Sequence, residues 1–113
     1  MKRIIFLLSV IVISGCVNPN TYRDDQDIEA SFTTTKGVQE TQECILAAWQ
    51  RQPLLTQIIA QKTGKYYSVL AVGDNVDVYT DNGITVINYY SLRGVLDVMA
   101  GKRKRMAGIK SCL

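Results

Sequence analysis

The chain has 113 residues, with 13 Lys and Arg against 10 Asp and Glu, a formal net charge of +3, 47% apolar residues, three Cys and no His. That length fits one small domain, and the composition is neither collagenous nor that of a wholly disordered chain. Without histidine, a Ser-His-Asp or Cys-His apparatus is excluded, and zinc loses its commonest nitrogen ligand.

Lys2 and Arg3 precede an apolar stretch from Ile4 to Ile13. As a helix such a stretch rises only about 15 Å, half of a bilayer core. It therefore reads as a secretion signal and not as a membrane span. The stretch runs into Ile13-Ser14-Gly15-Cys16, and the order of basic start, apolar core, small residues and Cys resembles the lipobox of bacterial lipoproteins. Ile13 stands where that family more often has Leu. The resemblance implies a diacylglycerol on the Cys16 sulfur, cleavage between Gly15 and Cys16, and acylation of the new amino group. Residues 1–15 are then a lipoprotein signal peptide, and the chain is anchored to a membrane through Cys16. Each buried CH₂ of an acyl chain contributes about 0.8 kcal/mol, so three chains make a lasting attachment. Val17 and Asn18 follow the cysteine; with no Asp there, the same resemblance implies the outer membrane, facing the periplasm. Once Lys2 and Arg3 are removed, eleven basic residues face ten acidic ones, a charge of +1. No nucleic-acid partner is expected of so neutral a chain.

Residues 16–37 are rich in Asn, Asp, Thr, Ser and Gln and read as a lipidated flexible tether of about 20 residues. The acidic cluster Asp24, Asp25, Asp27 and Glu29 reads as part of that solvated tether, and no metal site is expected. The folded part is expected over residues 38–113. Thr41 is placed to cap a helix, Glu43 suits the positive end of its dipole, and Cys44, Ile45, Ala48 and Trp49 share one face before Pro53 stops it. A short strand is expected around Gln57 to Lys62. Three clearer strands follow at Tyr66 to Val72, Val76 to Thr80 and Ile84 to Tyr90, with Asn82-Gly83 as a hairpin turn. Alternation sets Val76 and Val78 against Asp77 and Tyr79, and predicts an antiparallel meander with one packed face. Met106, Ile109 and Cys112 or Leu113 recur at helical spacing, so a short C-terminal helix closes the chain.

With Cys16 lipidated, Cys44 and Cys112 remain as an even pair in an oxidising compartment. A disulfide between them would join the first helix to the last. Lys102-Arg103-Lys104-Arg105 is the one charge run; it reads either as a contact for anionic headgroups or an acidic partner, or as the solvated face of the last helix. Tyr66, Tyr67, Tyr79, Tyr89 and Tyr90 crowd the sheet, as a binding surface or as cross-strand packing. Asp74, Asp77 and Asp81 with Ser68 or Ser91 supply carboxylates and hydroxyls, but turns alone account for Asp at 74 and 81. No spacing marks a paired acid and base, so no catalytic residue, cofactor or enzymatic activity is expected.

Glu43-Cys44-x-x-x-x-Trp49, the Tyr-rich strand, the Gly-Asp-x-x-Asp-Val segment, Gly-x-Thr-x-x-x-Tyr-Tyr and the final Lys-Ser-Cys-Leu resemble small enterobacterial lipoproteins of unknown function. The resemblance supports the Cys44 to Cys112 staple and carries no site over. The fold expected is α+β: a three- or four-stranded antiparallel sheet with N- and C-terminal helices joined by a disulfide. The function expected is a non-enzymatic envelope lipoprotein that binds or modulates an envelope protein. The alternatives are an inhibitor or immunity-type lipoprotein against a toxin, wall hydrolase or phage entry, and a purely structural envelope component.

Overall fold

The computed structural model of the protein describes residues 22–94, 97 and 99–113. Eight elements follow in chain order: α1 (Tyr22–Asp25), β1 (Ala30–Thr34), α2 (Val38–Arg51), β2 (Ile59–Thr63), β3 (Tyr66–Ala71), β4 (Asp74–Asp81), β5 (Ile84–Ser91) and α3 (Gly101–Lys110). The five strands form one sheet in the order β1-β5-β4-β3-β2, and every pair is antiparallel. The α+β class is as expected, with five strands in place of the three or four anticipated.

The centre of the sheet follows from local chemistry. β3, β4 and β5 are dominated by Val, Ile and Tyr, whose branched or aromatic side chains pack well on a pleated surface. β4 and β5 meet at Asn82-Gly83, where both residues take positive φ, 49° and 77°. That pair of angles defines the type I′ turn whose twist matches a hairpin, and it pins Asp81 opposite Ile84.

The extra strand comes from the segment read as a tether. β1 lies on the edge beside β5, with Ala30 opposite Tyr89 and Thr34 opposite Thr85. The folded part therefore begins before residue 38, and α1 already lies against the sheet through the buried Tyr22. α2 starts four residues earlier than expected as well, with Gly37 in the cap position. Thr41 is not its cap; the Thr41 hydroxyl lies in the second turn and donates to the Gly37 carbonyl at 2.8 Å.

One face of the sheet carries the apolar core. Val69, Val76, Val78, Ile87 and Tyr89 meet Ile45 and Trp49 of α2, Ile109 of α3, and Ile58 and Cys112. Trp49 stands edge-on to Tyr89, with ring centroids 6.1 Å apart. α3 comes close to α2 because Gly108 has no side chain: a Cβ there would stand 3.0 Å from the Trp49 ring. The Cys44–Cys112 disulfide links α2 covalently to the turn that follows α3. The opposite face is also covered, contrary to the single packed face expected of the meander. Tyr22 packs there with Leu70 and Tyr90 as a second, smaller buried cluster.

Candidate functional site

β4 places two carboxylates three residues apart, so pleating sends them to opposite faces. Asp74 and Asp77 are both buried. A buried carboxylate is costly unless paired and hydrogen-bonded, so each organises its surroundings.

On the helix-covered face, Asp74 accepts hydrogen bonds from Tyr89 at 2.6 Å, Ser91 at 3.0 Å and Arg93 Nε at 2.8 Å. Arg105 Nε reaches the same carboxylate at 3.4 Å. The Arg105 guanidinium also donates to the Gln52 and Pro53 carbonyls at 2.8 and 3.0 Å, and it lies 4.8 Å from the centre of the Trp49 ring. Trp49 Nε1 returns a bond to the Arg105 carbonyl at 3.1 Å. One cation thus ties α3 to β4, to the end of α2 and to the core tryptophan. Burial lowers the Arg105 pKa from its ordinary value while Asp74 opposes that shift; the guanidinium stays charged. Burial, with the bond to Asp74, raises the Tyr89 phenol well above the ordinary tyrosine value.

This geometry corrects two sequence readings. Arg105 is 1% exposed and is not part of a surface contact. Arg103 is exposed and Lys104 half-exposed, and Lys102 pairs with Glu29 at 3.1 Å. Asp74 is a buried ion-pair acceptor and not simply a turn residue.

On the other face, Asp77 accepts from the Ser68 hydroxyl at 2.6 Å, from the Tyr22 hydroxyl, and from Arg23 at 3.2 Å. Arg23 Nε stands a further 2.6 Å from the second Asp77 oxygen as an ion pair. The guanidinium lies 4.1 Å from the Tyr66 ring centre, and Tyr66 in turn meets Tyr79 edge-on at 5.4 Å. Burial, reinforced by the hydrogen bond to Asp77, raises the Tyr22 phenol. Burial also raises Tyr90. The tyrosines are therefore divided: Tyr22 and Tyr90 line this buried network, Tyr89 belongs to the Asp74 cluster, and Lys65 spans the rings of Tyr66 and Tyr79.

Ser68 and Asp77 thus come together, as do Ser91 and Asp74, but each carboxylate is neutralised by arginine. Ser68 is fully buried beneath Tyr22. Sequence reasoning missed Tyr22, Arg23 and Arg93, whose partners lie 19 to 55 residues away along the chain. Arg105 did leave a signal, because it falls four residues before the buried Ile109 on the same helix face. Cys44 and Cys112 are joined as expected. Gly15 and Cys16 lie outside the described residues.

Among the described residues, no group of His, Cys, Asp and Glu is placed to hold a metal ion, and no helix is long and apolar enough to cross a membrane. Comparison with protein-family models, curated proteins and solved structures gives no match.

Proposed function

We propose that the chain is an envelope lipoprotein: a small non-enzymatic module, lipid-anchored through Cys16 at the periplasmic face of the outer membrane, that binds or modulates another envelope protein. The observation that carries this reading is the Cys44–Cys112 disulfide. Such a bond persists in an oxidising compartment and is rare where glutathione keeps thiols reduced. It agrees with the address implied by Ile13-Ser14-Gly15-Cys16. The fates of Asp74 and Asp77 support a module without catalysis, since both are spent on buried arginine pairs that hold the fold together.

Mass spectrometry of the mature protein from membranes is the test. The expected N-terminus is Cys16 carrying three acyl chains, and palmitate incorporation disappears in Cys16→Ser. A mature N-terminus elsewhere, or an unmodified Cys16, overturns the reading. Cross-linking in cells then separates a modulatory partner from the inhibitor alternative, in which a toxin or wall hydrolase is captured stoichiometrically.

A further inference from the structure

If Cys16 carries the lipid, the docking of Tyr22 sets how far the domain can stand from it. Only six residue steps separate Cys16 from Tyr22, and Tyr22 is locked to the sheet by Asp77, Ser68, Leu70 and Tyr90. Fully extended, six steps span about 20 Å. Tyr22 therefore cannot leave the immediate neighbourhood of the bilayer while the fold is intact.

That reach selects one end of the sheet. The Tyr22 ring sits at the level where Leu70, Asn75 and Tyr90 lie side by side. The β3–β4 turn at Val72-Gly73 is two residues beyond, or about 7 Å. The opposite turn at Asn82-Gly83 is seven residues from Asn75, or about 24 Å, which is longer than the tether. The near end faces the membrane.

Among the described residues, five of the seven exposed large aliphatic side chains lie towards this end, the others being Ile84 at the far turn and the C-terminal Leu113. Leu55 is 92% exposed and Val72 79% exposed, and Ile28, Ile59 and Leu92 are about half-exposed. They converge structurally: Val72 N–H donates to the Thr56 hydroxyl at 3.2 Å, and Leu92 N–H to the Gly73 carbonyl at 2.8 Å. Ile59 opens β2 opposite Leu70, and Ile28 lies two residues before the Ala30–Tyr89 pair. Leu54 and Leu55 hold positive φ, 54° and 64°, a conformation that bulky residues rarely adopt and that keeps Leu55 outside the core.

Basic residues flank this apolar end on one side. Arg105 attaches the middle of α3 to the Gln52 and Pro53 carbonyls, just before Leu54. Lys102 reaches Glu29 at 3.1 Å, and the Glu29 N–H donates to the Tyr89 carbonyl, so the first turn of α3, with the exposed Arg103 and the half-exposed Lys104, lies at the β1 side of this end. The acidic Asp24 and Asp25 belong to α1, on the face of the sheet opposite α3, while Asp27 and Glu29 flank Ile28 and Glu29 is paired with Lys102. A surface of uncovered aliphatic tips beside a basic flank matches the boundary between acyl chains and anionic headgroups.

We propose that the end of the sheet formed by Leu55, Val72 and Leu92 is a membrane-contact surface, seated on an anionic phospholipid bilayer with the first turn of α3 over the headgroups. This rests on the lipid-anchor reading. The full-length acylated protein, carrying Val72→Trp, is reconstituted into phosphatidylethanolamine–phosphatidylglycerol vesicles with or without bromine on the acyl chains. Flotation and the mass of the N-terminus report the anchor, while quenching reports the contact. About twofold quenching of the added tryptophan is expected, since an interfacial side chain lies some 5–10 Å into the acyl boundary; Ile84→Trp, at the far end, stays unquenched. Trp49 supplies a constant background measured in the unmodified protein. Leu55→Trp is a second reporter with the same expectation, and Arg103→Glu with Lys104→Glu reduces the quenching of Val72→Trp. An acylated, floating protein with no quenching at 55 or 72, or equal quenching at 84, overturns the contact alone. Quenching unaffected by the charge reversal overturns the headgroup seat. An unacylated Cys16 removes the short reach and overturns both readings.

Discussion

The two faces of the sheet are built around the same residue type and held by different means. On one face Asp74 sits under two helices, in a continuous apolar core, with a disulfide from α2 to the turn that follows α3. On the other, Asp77 sits under a four-residue helix that brings Tyr22 and Arg23. The Asp74 face combines ionic, apolar and covalent constraints. The Asp77 face depends on a polar latch with a small apolar cluster beside it. A cooperative core and a separable latch should respond differently when their central carboxylates are removed.

The largest effect is expected from Asp74→Asn. It leaves the buried guanidinium of Arg105 without its counter-charge, and breaking a buried pair from one side costs about 3–5 kcal/mol. For a domain of this size that lowers the melting temperature by roughly 15–30 °C. Adding Arg105→Met should recover part of the loss in a calorimetric melt, because the stranded charge is then gone. A double variant no more stable than Asp74→Asn would show that the ion pair is not what joins α3 to β4. Next comes loss of the staple through Cys44→Ala with Cys112→Ala. Cross-linking residues 68 apart restricts the unfolded chain by about 4 kcal/mol on a chain-entropy reckoning. The double alanine variant should melt lower by a comparable but smaller margin, and equal melts with and without reductant would remove the staple from the comparison.

The same contrast explains what could be read from the sequence. The meander from Tyr66 to Ser91 was legible because β-branched residues alternate there and Asn82-Gly83 fixes a local turn. The staple was legible because only two cysteines remain after Cys16. β1 was not: as an edge strand, Ala-Ser-Phe-Thr-Thr half-buries Ala30 and Phe32 and leaves Ser31 and Thr33 in the rim, so its composition is that of a linker. The latch was hidden for a related reason. Tyr22 and Arg23 acquire their roles from Ser68 and Asp77, more than forty residues away, and no local periodicity encodes such a pairing. Arg105 was misread because three neighbouring cations drew it into a charge run, although its helical spacing to Ile109 pointed inward.

The latch should fail locally. Asp77→Asn removes the charge that holds Arg23, at about 1–3 kcal/mol. Its first sign should be faster amide exchange at residues 23–29, with β4 and β5 still protected. Uniform acceleration across the sheet would mean that the two faces unfold as one unit. Tyr22→Phe is milder, and it also has a pH signature. Folding raises the Tyr22 pKa by burial and by the Asp77 bond. The unfolded phenol ionises first, so the stability is present below pH about 10 and is lost as pH rises beyond it. Tyr22→Phe should therefore flatten the alkaline decline, leaving the shares contributed by Tyr89 and Tyr90.

The smallest effect concerns the start of α3, where the two regions meet through the Lys102–Glu29 pair. Asp97 accepts the backbone N–H groups of Gly101 and Lys102, each at 2.8 Å, and so caps a helix whose own cap residue, Ala100, has no side-chain acceptor. The Lys102 and Gly101 bonds lower the Asp97 pKa below its ordinary value. Because the folded value is the lower one, the contribution is present above pH about 4 and fades as pH falls through the depressed value. Asp97→Asn keeps an acceptor but removes the charge facing the helix dipole. Its melting temperature at neutral pH should drop less than that of Tyr22→Phe, and the difference from wild type should close as pH falls below 4. A difference that persists unchanged at low pH would assign Asp97 a packing role in place of an electrostatic one.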